Sequence, residues 1–410
     1  MRKCVFASLG IAVLAVGCSR TVNLSDDWET VKKDARSAGV PLTISESLKD
    51  FPKVAQKDNA AVAFKKAMTP ALEPLAPGKL LFQQGYMPVV ERAHQNISSS
   101  QARWFIAGTR PNWTALRQDS KTLRPILKAV ARALDPPKWD FHRDWAQGLA
   151  LLYPDLAMSK NLAKWYRAEA LLAAYEHRDQ DALQAVQAPY RLAAHLRTEP
   201  SLICRLVAIA IDVINDRTAQ DVARLRPGKS ALLSRLEKLV SASSRSGEWQ
   251  SIWDFEYACI IEALNPASPA NLTEFAGDAQ KVTPPTPEQI SKGRTETVKL
   301  LIEAKRAMKA KPTDVKAMLA VVPFDSKIQQ MLGRTIPILK EPMGDTGLES
   351  IYAQASNAEL SSIARQRLTR LFLRMVGSGG KGGWHLPAEA SRPEFADPFT
   401  GKPMKLKSEG

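Results

Sequence analysis

The chain has 410 residues, 45 % apolar and 24 % charged, with a formal net charge of +15. That apolar share is enough for a core, which excludes disorder as the main state; collagen-like and multi-span membrane classes are excluded as well. Glycine is scarce, 21 residues against a usual share of ~7 %, and because β turns consume glycine the balance favours helix.

At the amino terminus Met1-Arg2-Lys3 precede an apolar run from Cys4 to Val16, and Gly17-Cys18 follow. A short basic stretch, an apolar stretch and small residues before a cut site make an export signal. The run is too short to span a bilayer, which takes about 20 residues. Leu14-Ala15-Val16-Gly17-Cys18 resembles the lipobox of bacterial lipoproteins, with Ala15 where leucine is more usual. The resemblance implies removal of residues 1–17 and lipidation of Cys18. Ser19 rather than aspartate next to Cys18 implies, by the same likeness, the outer membrane, on its periplasmic face. Several acyl chains, at about 0.8 kcal/mol per buried CH₂, hold a protein firmly.

Cleavage takes away Arg2 and Lys3 and no acid, so the net charge falls from +15 to +13. A surplus of that size attracts anionic surfaces. The partners expected are the membrane, through the anchor, and an anionic envelope component or an unidentified protein; no nucleic acid is expected. Cys204 and Cys259 remain after cleavage. An exported chain permits a disulfide between them, and two buried free thiols are equally compatible.

From Ser25 the pattern is helical almost throughout. Ser25-Asp26-Asp27 offer a cap and first-turn acids before Trp28. A loop is expected over Pro41–Pro52, a helix over Asn59–Met68, a proline-rich connector over Pro70–Pro77, and helices over Met87–Ile97 and Thr122–Leu134. The strongest signal is 155–244. Leu162, Trp165, Tyr166, Ala168, Leu171, Leu172 and Tyr175 form an i, i+3, i+4, i+7 stripe. The pattern recurs over Asp179–Leu196 and Pro200–Leu225, and the short breaks between imply antiparallel neighbours. Leu202–Ile214 carries Arg205 and Asp212, so it reads as a core helix. The first pair resembles a tetratricopeptide hairpin with Ala182 as its small packing residue, although no fixed period is present. Further on, Ala267–Pro287 reads as a loop, Glu288–Lys311 as a helix, Asp314–Val322 as a shorter one, Pro337–Gly347 as a connector and Thr346–Val376 as a last long helix. A glycine-rich hinge and a small folded flap, anchored by Phe399, complete the chain.

The expected fold class is all-α: stacked antiparallel helical hairpins with tetratricopeptide-like packing, no strict repeat, and a small irregular C-terminal hairpin or flap. The expected division is a signal at 1–17, an N-terminal helical region at 18–137, a central hairpin core at 138–344 and a C-terminal region at 345–410. The tail Asp397-Pro398-Phe399-Thr400-Gly401-Lys402-Pro403-Met404 resembles the D-P-F-[ST]-G-K-P-L ending of a group of uncharacterised helical envelope proteins of planctomycetes and related bacteria. Asp58-Asn59-Ala60-Ala61 and 200–214 share that character. The glycine-rich insertion and Lys405-Leu406-Lys407 depart from it, and no activity comes with the likeness. The same tail resembles the ending of type II secretion pseudopilins, a likeness that local turn chemistry explains.

Catalytic and metal chemistry finds little footing. The five histidines are scattered, with no H-x-x-x-H and no C-x-x-C, so no metal and no cofactor is expected. Gly377–Gly382 matches G-x-G-x-x-G with the wrong polarity, since a helix leads in, and Ser378–Lys381 matches S-x-x-K without its companion motifs. Glu349-Ser350-Ile351-Tyr352 is similar to the E-S-x-F segment of lytic transglycosylases, which makes Glu349 a weak catalytic candidate, a general acid in a low-polarity cleft. The companion G-L-M-Q segment is missing. Arg367, Arg370 and Arg374 lie at i, i+3, i+7 on one helical face, a candidate anionic-surface site. The alternative is an ordinary face with arginine stems packed along the body. The reading that fits best is a lipid-anchored, non-catalytic scaffold or binding module; the alternatives are a peptidoglycan-acting enzyme and a binder of anionic lipid or polysaccharide.

Overall fold

A computed structural model describes residues 28–72, 113–243, 249–267, 285–309, 315–336, 351–378 and 388–404. The fold class is all-α, as the helical periodicity predicts. Among the described residues there is no strand, only two isolated bridges, Asn59 to Lys138 and Ala396 to Pro403.

The helices in chain order are α1 (Trp28–Ala38), the single turn α2 (Ile44–Ser47), α3 (Ala60–Leu72), α4 (Trp113–Ala133), α5 (Pro154–Tyr175), α6 (Asp179–Leu196), α7 (Leu202–Leu225), α8 (Ser230–Ala242), α9 (Trp249–Ala263), α10 (Pro287–Lys309), α11 (Val315–Thr335) and α12 (Ile351–Gly377). Pro154 starts α5 where a missing N–H costs nothing, and Asp179 and Asp181 supply first-turn negative charge to α6. Ala182 is fully buried where α5, α6 and α7 pack on one another.

Two cores result. The first gathers α3 to α8 and the end of α12 around Phe64, Trp139, Leu171 and Leu236. The second gathers α1, α9, α10, α11 and the start of α12 around Trp253, Tyr257, Leu301 and Ile328. The clusters cut across the sequential division expected at 137/138 and 344/345, because α1 packs on α10 and α7 and α12 each reach both cores. Leu202, at the start of α7, belongs to the second core, as do Tyr352 and Ala355 of α12. Leu206 packs on the second core too, whereas Cys204, Ala208, Ile211 and Val222 of α7, with Leu373 and Val376 of α12, belong to the first.

Several boundaries differ from the sequence reading. The shorter helix expected to end at Val322 runs on through Pro323 to Thr335. Proline in a helix interior costs about 3 kcal/mol. Burial of Val321, Ile328, Leu332 and Ile336 in the second core outweighs it. Pro125 in α4 and Pro189 in α6 are likewise internal. The motif Asp58-Asn59-Ala60-Ala61 has a structural use. Asn59 Oδ1 accepts from Ala61 N and Asp140 N, each at 3.0 Å, and its Nδ2 donates to the Asp140 carbonyl at 2.7 Å. One buried side chain therefore caps α3 and holds the extended segment after α4.

The tail forms the expected folded turn. Asp397 accepts from Phe399 N at 3.1 Å and from Thr400 Oγ1 at 2.7 Å, and Gly401, at φ +71°, donates to the Asp397 carbonyl at 2.7 Å. Its anchor is Phe395, not Phe399. The turn leaves Phe399 51 % exposed, whereas Phe395 is fully buried against Leu371 and Ala390.

Candidate functional site

The feature that needs explanation is the charge inside the helical body. On α7 alone Arg205, Asp212, Asn215, Asp216, Thr218 and Asp221 are buried. An unpaired buried charge is very costly, so each partner matters.

The first node is Arg143. In the segment between α4 and α5, Trp139, Phe141 and Arg143 alternate with Asp140, His142 and Asp144, and His142 is exposed with a φ of +51°. The inward guanidinium makes two 2.8 Å bonds to Asp155 and a 2.6 Å bond to Glu199. The rings of Phe141 and Tyr153 lie 4.8 Å from its carbon. Glu199 also accepts from Trp139 Nε1 at 3.0 Å and from Cys204 Sγ at 3.3 Å. Burial opposes the Arg143 charge, but the two carboxylates outweigh it and hold its pKa above the usual arginine range. Burial outweighs Arg143 at Glu199, whose pKa stands above the ordinary carboxylate value. Burial and Glu199 push the Cys204 thiol well up. Cys204 is therefore a protonated donor, not the thiolate that nucleophilic chemistry needs.

The second node lies where the cores meet. Arg205 of α7 donates to Glu359 of α12 at 2.6 and 3.2 Å, with both side chains 1 % exposed. Its carbon stands 5.2 Å from the centre of the Trp249 ring, and Arg197 pairs with Asp212 beside it. Burial lowers the pKa of Arg205 and raises that of Glu359. Further along α7, Asp221 receives Arg167 at 2.7 Å and Arg224 at 2.8 Å, and Tyr190 donates to Asp216 at 2.7 Å. In the second core Lys305 holds Asp254, and Tyr257 donates to Asp325 at 2.5 Å. Glu256 accepts from Leu202 N at 2.8 Å and so caps α7.

One cleft between α4, α5 and α6 has a volume of about 40 Å³ and is lined by Arg124, Tyr166, Glu169, Asp181 and Gln184. It has room for a water molecule or two. Of its two acids, Glu169 is held by Ser120, by Arg124 at 2.9 Å and by Arg178 at 3.3 Å, and Asp181 is paired with Arg178.

The residues singled out from the sequence fare differently. Cys18 and Glu349 lie outside the described residues. Cys204 and Cys259 are separate buried free thiols; the bridge is not formed. Cys204, in α7, donates to Glu199, and Cys259 packs with Ile44 and Phe255. Arg367, Arg370 and Arg374 do not form an open anionic-surface site. Arg370 and Arg374 bind Glu237 of α8 at 2.9 and 3.1 Å, Arg370 reaches Glu394 at 3.5 Å, and Arg367 donates to the Ala396 carbonyl. The tail covers that face. Trp139, Trp165, Trp249 and Trp253 are buried core residues, and Trp145 is half-buried against the small cluster of Ile44 and Phe255. Sequence reading missed Arg143, Asp155, Glu199 and Glu359. Of these only Arg143 left a local trace, in the alternation around it. Among the described residues no group of histidines, cysteines and acids has a metal-binding arrangement, and no helix is long and apolar enough to cross a membrane.

His195 gives a pH test of this interior. It is 8 % exposed, stacks on Trp139 at 5.0 Å and sits 3.2 Å from the Leu134 carbonyl through Nε2. Burial, then the charge of Arg191, lower its pKa despite the Leu134 bond. The unfolded chain therefore binds the imidazole proton first. Stability is kept above the unfolded value of about 6.5 and lost as pH falls below it. We expect the stability difference between wild type and His195→Asn to shift against wild type between about pH 7 and about pH 5, measured by urea unfolding. A pH-independent difference contradicts the assignment.

No family model, no curated protein and no solved structure matches the chain.

Proposed function

We propose that the chain is a lipid-anchored cell-envelope protein, held at Cys18 on the periplasmic face of the outer membrane, whose helical body is a non-catalytic scaffold or binding module. The anchor rests on Leu14–Cys18 and the export signal before it. The observation that carries the rest is the use of the buried charges. Asp155, Glu199, Glu359, Asp212 and Asp221 are each engaged by a cation from a different part of the chain. A general acid is instead held by its surroundings with its proton aimed at a substrate cleft. Such pairs fix helix register, and a body fixed in this way presents a constant surface to a partner.

Membrane fractionation tests the anchor. Cys18→Ala is expected to move the protein from the membrane to the soluble fraction; a variant that stays with the membrane contradicts it.

A further inference from the structure

We propose that the tail 388–404 masks a face of α12 that binds anionic phospholipid, so that Arg367, Arg370, Arg374 and Leu371 meet a lipid surface only when the tail is released. The inference deepens the proposed membrane location and rests on it.

The geometry at the tail is that of one basic face and an internal substitute for its ligand. The Phe395 ring lies 4.7 Å from the Arg370 guanidinium carbon and 4.9 Å from that of Arg374. The ring is fully buried on Leu371, which is 2 % exposed. Glu394 reaches Arg370, the Ala396 carbonyl takes Arg367, and the Asp397 charge acts on Arg367. The tail thus supplies two carboxylates, a carbonyl oxygen and a ring face to three guanidinium groups. The body supplies one carboxylate, Glu237. With the tail docked the face is neutralised. With the tail away, three guanidiniums stand against one carboxylate, beside Leu371 and the 39 % exposed Leu368. Arginines flanking leucines on one helix are the composition that settles at an anionic membrane interface.

The docked contact is limited in extent. Its apolar cluster is small, Leu371, Ala390 and Phe395, and Glu394 is 47 % exposed, where an ion pair contributes little.

The test uses the full chain carrying Cys18→Ser, so that acylation contributes nothing. Phe395→Ala with Glu394→Gln, and separately Phe395→Glu, are the release variants; faster cleavage by a glutamate-specific protease after Glu389, whose neighbour Ala390 is buried in the docked tail, reports release. Co-sedimentation is measured with phosphatidylglycerol vesicles and with phosphatidylcholine vesicles. Two net charges gained near the surface, at about a factor of five each, give a gain of roughly thirtyfold on the anionic vesicles. No gain is expected on neutral ones, and the gain should fall as salt rises. A synthetic peptide of residues 388–404 should reverse it, and adding Arg370→Ala with Arg374→Ala should abolish it. A released chain that binds anionic vesicles no better than the parent overturns the proposal. So does a tail that stays docked in both variants, or a released chain that binds an acidic polysaccharide but not the vesicles. Because lipidation is removed, failure here leaves the anchor standing, and failure of the anchor leaves this result readable.

Discussion

Replacing Arg143 with methionine is expected to cost the largest share of stability of any single change at the described sites, about 3–5 kcal/mol or more. The guanidinium is the shared partner of Asp155 and Glu199, whose side chains are 7 % and 1 % exposed. Removing it leaves two buried carboxylates without their cation, and methionine restores only the contact with Phe141 and Tyr153. Arg143→Lys keeps the charge but loses the two-pronged bond to Asp155, so it should fall between. The pH dependence has a definite sign. Burial already raises the Glu199 pKa, and losing Arg143 raises it further. A folded pKa above the unfolded one contributes stability below the unfolded value, and that stability is lost as pH rises through the folded value. The deficit of Arg143→Met should therefore shrink between about pH 8 and about pH 5. Denaturant unfolding at several pH values reads both effects; a deficit under about 1 kcal/mol, or one that grows on acidification, contradicts the account.

The Arg205–Glu359 pair should show the second largest effect, with a different signature. Arg205→Met and Glu359→Leu are each expected to cost about 3–5 kcal/mol, since each strands one buried charge. The double replacement should cost much less than the sum, because two apolar side chains of similar size suit that interior. The pair joins α7 to α12 where the two cores meet. Each single variant is therefore expected to broaden or split the unfolding transition, and the double variant to restore one transition. Additive costs with an unchanged single transition would remove this pair from its place as the link between cores.

How much of this could be read in advance follows from the range of each interaction. The periodicity of α5, α6 and α7 is local, and it predicts both the helices and their antiparallel order. Arg205 and Asp212 are visible as charges in an apolar run, enough to argue against a membrane span. Their partners are not visible in the same way: Glu359 lies 154 residues from Arg205, and nothing local to either names the other. Pro323 misled for the complementary reason, since a local rule against proline yields to burial of α11 residues in the second core. In the tail the turn chemistry of Asp397–Gly401 is local and legible. Which phenylalanine anchors it depends on where Leu371 and two arginines stand, and that is a property of the assembled fold.

The proposed function requires an acylated chain whose body stands outside the cytoplasm, and the intact mass of the protein recovered from membranes tests it most directly. The expected species lacks residues 1–17 and carries acyl groups on Cys18. A full-length unprocessed chain, or a cleaved one with an unmodified cysteine, would contradict it.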